Sequence, residues 1–317
     1  MKSAARYDLQ LAEVRALVED VDGQLREGLE QIKLIRRSQR ELKRAGRRRR
    51  RKTRGGERAG DEPLLAFVHI PKTAGKTVTT MLVGAYSKPG VRSAGNYLRG
   101  PEKTRRKVGM ERKTRGRVIV GHVPYGLFRE SLPADTRYMT FLREPTERVL
   151  SHYWRHLHRD PSRPPTPNPR KVRTETLEQA LVEHRLPAVN NLMTRFLCGS
   201  AALDGTLTAS AVDAAKRNLS EFAFVGLQER FEESIVLLQR TLGTGFVAYE
   251  NHHVASQRPA VTERERDLIA ECNQLDTELY EFGRGLFDQA LADAPPGFHA
   301  EVEALRKLRS VDRDAPQ

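Results

Sequence analysis

Cysteine is scarce in this chain: Cys198 and Cys272 are the two in 317 residues. Two cysteines cannot build a disulfide framework or a four-cysteine zinc site, so both classes are excluded. Long apolar runs are missing too, because no stretch reaches 18 apolar residues and the N-terminus has no apolar signal-peptide core. We therefore expect a soluble protein in a reducing, cytoplasmic compartment.

Acidic residues are too few to balance the basic ones. The chain has 55 lysines and arginines against 41 acidic residues, a net charge of +14, and residues 1–60 hold 18 against 9. Within the segment 44–58, the unbroken basic run 47–52 is typical of a solvated tether. Contact of 44–58 with nucleic acid or an anionic membrane stays open, although no aromatic residues interleave the arginines as a single-strand stacking platform requires.

Residues 8–43 show an apolar repeat of a different kind. Apolar residues recur there at alternating spacings of three and four, for example Leu11, Val14, Val18 and Val21. This heptad pattern predicts a helical coiled-coil arm and a possible homo-oligomer, and a single helix packed on its own domain is the alternative.

From Leu64 onward the composition becomes globular. Short apolar strands alternate with helical patterns, which predicts a three-layer, P-loop-like α/β domain with a mainly parallel sheet over 61–297. A single long helix is expected over about 262–292. Residues 298–317 are expected to form a polar C-terminal tail.

The stretch 67–80 carries the strongest chemical signal. A strand runs into a turn with Pro71 and Gly75, and a helical pattern follows from Thr77. A strand, a basic loop and a helix N-terminus present backbone N–H groups and two lysines, Lys72 and Lys76, to an anion. The stretch therefore predicts a site for a phosphate or sulfate group.

A nucleoside-triphosphate P-loop is the first rival interpretation. Its first glycine would stand five positions before Gly75, where the chain has Ile70. A strand ending in aspartate would also hold Mg²⁺, whereas the best candidate strand, 138–142, is followed by Arg143. The pattern favours an anion handled without a metal.

A second constellation follows that strand. Arg143 leaves the strand end, Pro145 suits the first turn of a helix, and Ser151 lies inside that helix. A guanidinium and a hydroxyl could close together on one phosphate.

Together these motifs resemble the 5′-phosphosulfate and 3′-phosphate loops of sulfotransferases. The resemblance is to bacterial members of the heparan sulfate 2-O-sulfotransferase type and covers about residues 64–290. It rests on 69–75 and 142–151, and extends through 121–126, 191–197 and 225–231.

The resemblance implies a donor, 3′-phosphoadenosine 5′-phosphosulfate (PAPS), and sulfuryl transfer to a carbohydrate or glycolipid hydroxyl with no metal. It implies that Lys72 stabilises the transferring group and that His122 is the general base. Donor-binding residues implied by it, or proposed beside it, are Lys72, Thr73, Ala74, Gly75, Lys76, Thr77, Arg143, Ser151 and Arg258.

The acceptor is less defined. Asn191 and Arg195 are candidate acceptor contacts, with helix capping as the alternative. The segments 87–117 and 160–170 border the expected site and are candidates for acceptor selection. Basic residues in 87–117 hint at an anionic glycan. Besides the sulfotransferase, a P-loop kinase or NTPase and a non-catalytic, anion-binding coiled-coil scaffold remain as alternatives.

Overall fold

The protein is described by a computed structural model over residues 63–86, 90–111, 117–157, 177–182, 189–200, 203, 205–244 and 260–314. The predicted arm 1–60 with its tether, the loop 160–170 and Arg258 lie outside these residues. Among the helices inside them, none is long and apolar enough to cross a membrane.

The centre of the fold is a five-stranded parallel sheet. The strands are β1 (Leu65–Val68), β2 (Val91–Asn96), β3 (Val118–His122), β4 (Arg137–Leu142) and β5 (Phe224–Leu227). They are ordered β2-β3-β1-β4-β5, and every pairing is parallel. The predicted α/β class with a parallel sheet is confirmed. Ligands of such sheets bind at the carboxyl ends of the strands.

Helices connect and cover the strands. They are α1 (Gly75–Tyr86), α2 (Pro101–Glu111), α3 (Tyr125–Ser131), α4 (Pro145–Leu157), α5 (Leu177–Val182), α6 (Leu192–Leu197), α7 (Ala209–Ser220), α8 (Phe231–Leu242), α9 (Glu263–Cys272), α10 (Gln274–Ala292) and α11 (Phe298–Asp314). A 3₁₀ turn, Tyr97–Arg99, joins β2 to α2.

The sheet is buried on both faces. Ala66 and Val68 of β1 belong to a core shared with α3, α6, α7 and α10, whereas Leu65 and Phe67 belong to one shared with α1 and α8. Alternate side chains of one strand therefore enter opposite cores. This explains why β1 reads as a continuous apolar run rather than an alternating one.

The basic stretch 87–117 is more ordered than a loop. It contains the edge strand β2 and the helix α2, neither of which its composition predicts. Ala94 is the buried residue of β2, and the other five are exposed or half-buried. The apolar signal that marks a strand is therefore almost absent.

The long helix expected over 262–292 is two helices. Asn273 separates α9 from α10, and its amide NH₂ donates to the carbonyl of Val189 at 2.7 Å and to that of Ile269 at 2.9 Å. Thr262 and Glu265 form a capping box at the start of α9. The break exists because a tertiary contact with residue 189 holds Asn273.

The C-terminal residues differ from the predicted polar tail. Helix α11 occupies Phe298–Asp314, and its Phe298 and Val302 pack against Val236 of α8. Arg240 and Glu301 form an ion pair between the same two helices at 3.1 Å. Two apolar residues spaced by one turn were enough to dock the helix, although its composition is mainly polar.

Candidate active site

The loop from Ile70 to Gly75 follows β1 at the carboxyl edge of the sheet. Lys72 and Ala74 both have positive φ, 74° and 62°, which is uncommon for residues with a side chain. The Thr73 hydroxyl donates to the carbonyl of Ile70 at 2.9 Å and closes the turn. Strain of this kind persists where the surroundings impose it, and it often marks a functional site.

The loop delivers the chain to the N-terminus of α1. Helix geometry leaves the first N–H groups of α1, those of Gly75, Lys76 and Thr77, without intrahelical acceptors. These donors and the positive end of the helix dipole attract anions. The donor set, made of amides and lysines, therefore fits a phosphosulfate group.

Arg143 lies beside this loop. It is buried, and its Nη1 donates to the carbonyl of Lys72 at 3.3 Å, across 71 residues of sequence. Its Nη2 pairs with Glu147 at 3.5 Å, and Ser151 follows one turn later on the same face of α4. The structure thus brings Arg143 to the loop as predicted, with an acidic neighbour, Glu147, that the sequence did not suggest as part of the site.

His122 ends β3, the strand paired with β1. Its Nδ1 lies 2.6 Å from the carbonyl oxygen of His69. Because a carbonyl can only accept, Nδ1 carries the hydrogen and Nε2 carries the lone pair of the neutral ring. The second-neighbour contact therefore selects the tautomer that a general base acting through Nε2 requires.

The electrostatic surroundings favour the neutral ring. Burial lowers the pKa of His122; the hydrogen bond to His69 opposes that shift, and the charges of Arg99 and Lys76 lower the pKa further. Burial, followed by His122 and Lys76, also lowers the pKa of His69 well below its usual value. Both imidazoles are consequently neutral at physiological pH.

His69 is the functional neighbour that the sequence interpretation missed, since it was assigned a structural role. Its ring centroid is 4.0 Å from that of His122 and stacks on Phe67 at 5.3 Å. A Cβ built on Gly75 would lie 2.0 Å from two atoms of this ring. His69 therefore fills the space between the loop and His122. Its position at the end of a strand, like that of His122, was the available signal.

A cavity of about 490 Å³ opens beside the two histidines. Its lining residues come from α1, β2 and β3 and include His69, Lys76, Thr80, Gly95 and His122. A basic, open pocket at the carboxyl edge of a parallel sheet suits an anionic ligand. Among the described residues, no group of three or more His, Cys, Asp or Glu is placed to hold a metal ion.

Asn191 is held inside the protein. It precedes α6 in the left-handed conformation, with φ 47°, and its Oδ1 accepts from the amide of Asp276 at 3.0 Å. Its NH₂ group donates to the carbonyl of Cys272, also at 3.0 Å. These partners support the alternative that Asn191 caps and anchors α6.

Comparison with known proteins gives distant relatives. No protein-family model matches the chain. It is 27% identical over 184 residues to human heparan-sulfate 6-O-sulfotransferase 1, covering 50% of this chain and 44% of the relative. It is 31% identical over 182 residues to zebrafish (Danio rerio) heparan-sulfate 6-O-sulfotransferase 1-B, covering 48% and 44%. The chain therefore spans less than half the length of these relatives.

Two further proteins are similar. The Drosophila melanogaster heparin sulfate O-sulfotransferase is 27% identical over 190 residues, covering 54% of each protein. The solved structure of mouse sulfotransferase SULT7A1 complexed with PAP is 13% identical, with a TM-score of 0.32, and covers 77% of this chain and 82% of that one. That score is too low to bear on the fold or the function.

Proposed function

We propose that this chain is a PAPS-dependent sulfotransferase that acts on a hydroxyl of a heparan-sulfate-like glycan. The observation that carries the proposal is His122, held by the His69 carbonyl with Nε2 as its acceptor nitrogen, beside a basic loop and a helix N-terminus. The sulfotransferases to which the chain is similar support the reaction class and the glycan acceptor.

The roles of the loop residues follow from charge. When bound, the donor supplies an activated sulfuryl group. Lys72 and the amides of residues 73–77 would hold its phosphosulfate, and Lys76 adds a second cation near His122. Arg143 and Ser151 would hold the 3′-phosphate, and Arg143 would then exchange part of its contact with Glu147 for that anion. Arg258 stays a further predicted donor contact.

His122 would act on the acceptor. Its Nε2 lone pair accepts the proton of the acceptor hydroxyl, and the His69 carbonyl stabilises the charged ring that results. A neutral histidine at physiological pH is ready for this task without a prior proton loss. Arg99 and Lys76, which disfavour a charged ring, help to keep it neutral until the acceptor is present.

The exact acceptor position is a finer prediction. The motifs resemble the 2-O type, whereas the relatives whose names give a position are 6-O enzymes. We keep the coarser class, a heparan-sulfate-like glycan. The 2-O bacterial type, a glycolipid acceptor and a cytoplasmic location stay predictions, as does oligomerisation through 8–43.

Two measurements test the proposal. Adenosine 3′,5′-bisphosphate should raise the thermal midpoint by mass action, and labelled sulfate should pass from PAPS to a heparan-type glycan. His122→Ala should lower the transfer rate by about 10²- to 10⁴-fold, because it removes the base. The same variant should keep the thermal response to the bisphosphate. Lys72→Ala should weaken both.

The matched control is His299→Ala, an exposed histidine on α11. It should leave both measurements unchanged. A His122→Ala protein with full activity would show that another group is the base. A response to Mg²⁺ with a nucleoside triphosphate, without any response to the bisphosphate, would instead favour the kinase or NTPase alternative.

A further inference from the structure

A second cavity of about 730 Å³ lies apart from the histidine pocket. One wall is the segment 97–101, and the other is formed by residues around α6. The lining residues are Tyr97, Leu98, Pro101, Asn190, Asn191, Arg195, Leu203, Gly205, Thr206 and Leu207. We call this cavity the α6 cleft. Its volume is in the range of sites for small organic ligands.

The α6 cleft begins next to the proposed base. Asn96 of β2 pairs with His122 of β3, so their backbones lie about 4.8 Å apart. Tyr97, the next residue, already lines the cleft, whereas Gly95 lines the histidine pocket. A ligand chain with one unit at His122 can therefore place an adjoining unit in the cleft.

Arg195 joins the two sides of the α6 wall. Its Nε donates to the carbonyl of Asn190 at 3.0 Å, and its Nη2 donates to the Oδ1 of the same residue at 3.1 Å. Its Nη1 donates to the carbonyls of Gly205 at 2.7 Å and Leu203 at 3.3 Å. The guanidinium is thus engaged by four protein oxygens and shapes the wall.

The chemistry of the cleft suits an uncharged sugar surface. Arg195 is the charged member of the lining given above, and its donors already have partners. The other lining groups are an amide (Asn190), a hydroxyl (Thr206) and apolar side chains such as Leu98 and Leu207. Such groups hydrogen-bond hydroxyls and pack on the apolar faces of sugar rings.

We propose that the α6 cleft is the subsite for the sugar that adjoins the sulfated one, and that Arg195 is a positioning residue for it. The cleft holds that sugar by hydrogen bonds and apolar contact rather than by an ion pair. This inference rests on the proposed function, since it takes the acceptor to be a saccharide chain.

The test is direct binding of an oligosaccharide of alternating glucuronate and N-acetylglucosamine, titrated calorimetrically into protein loaded with adenosine 3′,5′-bisphosphate. Leu98→Trp places a larger side chain at the rim, where Leu98 is 38% exposed, so the fold should tolerate it. We expect affinity to fall by about tenfold or more, which is about 1.4 kcal/mol. Met110→Trp, on an exposed site of α2 outside the lining, is the matched control and should bind like the wild type.

Arg195→Lys is the second variant, because lysine keeps the charge but cannot bridge the same carbonyl groups. It should raise the KM for the glycan more than it lowers kcat, and it should keep the thermal response to the bisphosphate. The ratio of affinities between wild type and Leu98→Trp should also persist from about 0.1 M to about 0.5 M salt, since exposed ion pairs are what salt screens.

The outcomes separate the two proposals. Unchanged saccharide affinity in both Leu98→Trp and Arg195→Lys overturns the cleft proposal, even if sulfate transfer is normal. Wild-type protein that binds the bisphosphate but not the oligosaccharide also overturns it. Saccharide binding that is lost in Leu98→Trp, in a protein that transfers no sulfate to any glycan, supports the cleft and contradicts the proposed function.

Discussion

The two sides of the candidate site are built in different ways. The loop of residues 70–77 is one contiguous segment, closed by a short-range bond from Thr73 to Ile70. The α6 wall is assembled from distant segments, since Asn191 bonds to residues 81 to 85 positions away. A site made of one segment can be recognised in a sequence. A site made of packed elements depends on the whole core.

The α6 wall is anchored by a buried ion pair. Asp276 of α10 is fully buried and accepts from the amides of Met193 at 3.0 Å and Thr194 at 2.7 Å. Arg148 of α4, also fully buried, lies 3.9 Å from it. Burial raises the pKa of Asp276, and Arg148 with the amide donors opposes that rise. Helix α4, which carries Ser151, is thereby tied to α6.

The largest expected effect breaks the assembled side. Asp276→Ala leaves Arg148 buried without its carboxylate and should lower the free energy of unfolding by about 3–5 kcal/mol. Urea unfolding measures this loss. Asp288→Ala is the control, because Asp288 is 53% exposed in its pair with Arg230 and should cost about 1 kcal/mol or less. Equal losses in the two variants would contradict the role given to the buried pair.

A smaller effect tests the contiguous side. Gly75→Ala forces a Cβ against the His69 ring and should cost about 1–3 kcal/mol, as overpacking does. The thermal response to adenosine 3′,5′-bisphosphate should fall as well, because the loop must move. Gly84→Ala, in the same helix but facing open space, should stabilise by about 0.5–1 kcal/mol. A Gly75→Ala protein that behaves like Gly84→Ala would show that the His69 contact is unimportant.

The smallest effect is on pH dependence. The neutral form of His122 is the active base, and its pKa is lowered chiefly by burial. Transfer should therefore persist below pH 6.5 and be lost only as the pH falls through the lowered value. Lys76→Gln removes a charge that lowers this pKa, so the acidic limb of kcat/KM should move to higher pH.

The control for that shift is Lys103→Gln on the exposed surface of α2, which should leave the limb in place. A limb that stays in place in Lys76→Gln would mean that Lys76 does not act on His122. A limb above the usual histidine range would contradict the electrostatic account of the site.

Much of the fold could be predicted because its signals are local. Continuous apolar strands such as β1 and β4 and the turn after each can be recognised along the chain. The edge strand β2 could not, since its side chains are mostly exposed. The break at Asn273 could not either, because the contacts that hold it come from α9 and from Val189.

The amino-acid sequence by itself determined the anion-binding loop, the strand ends and the chemistry of Lys72, Arg143 and His122, because each depends on neighbours within a few residues. Only the tertiary structure decided that the His69 carbonyl selects the tautomer of His122, 53 residues away. It also decided that Arg195 shapes a cleft instead of presenting a charge. Both follow from parallel strand pairing and helix packing, which bring together groups that no spacing along the chain connects.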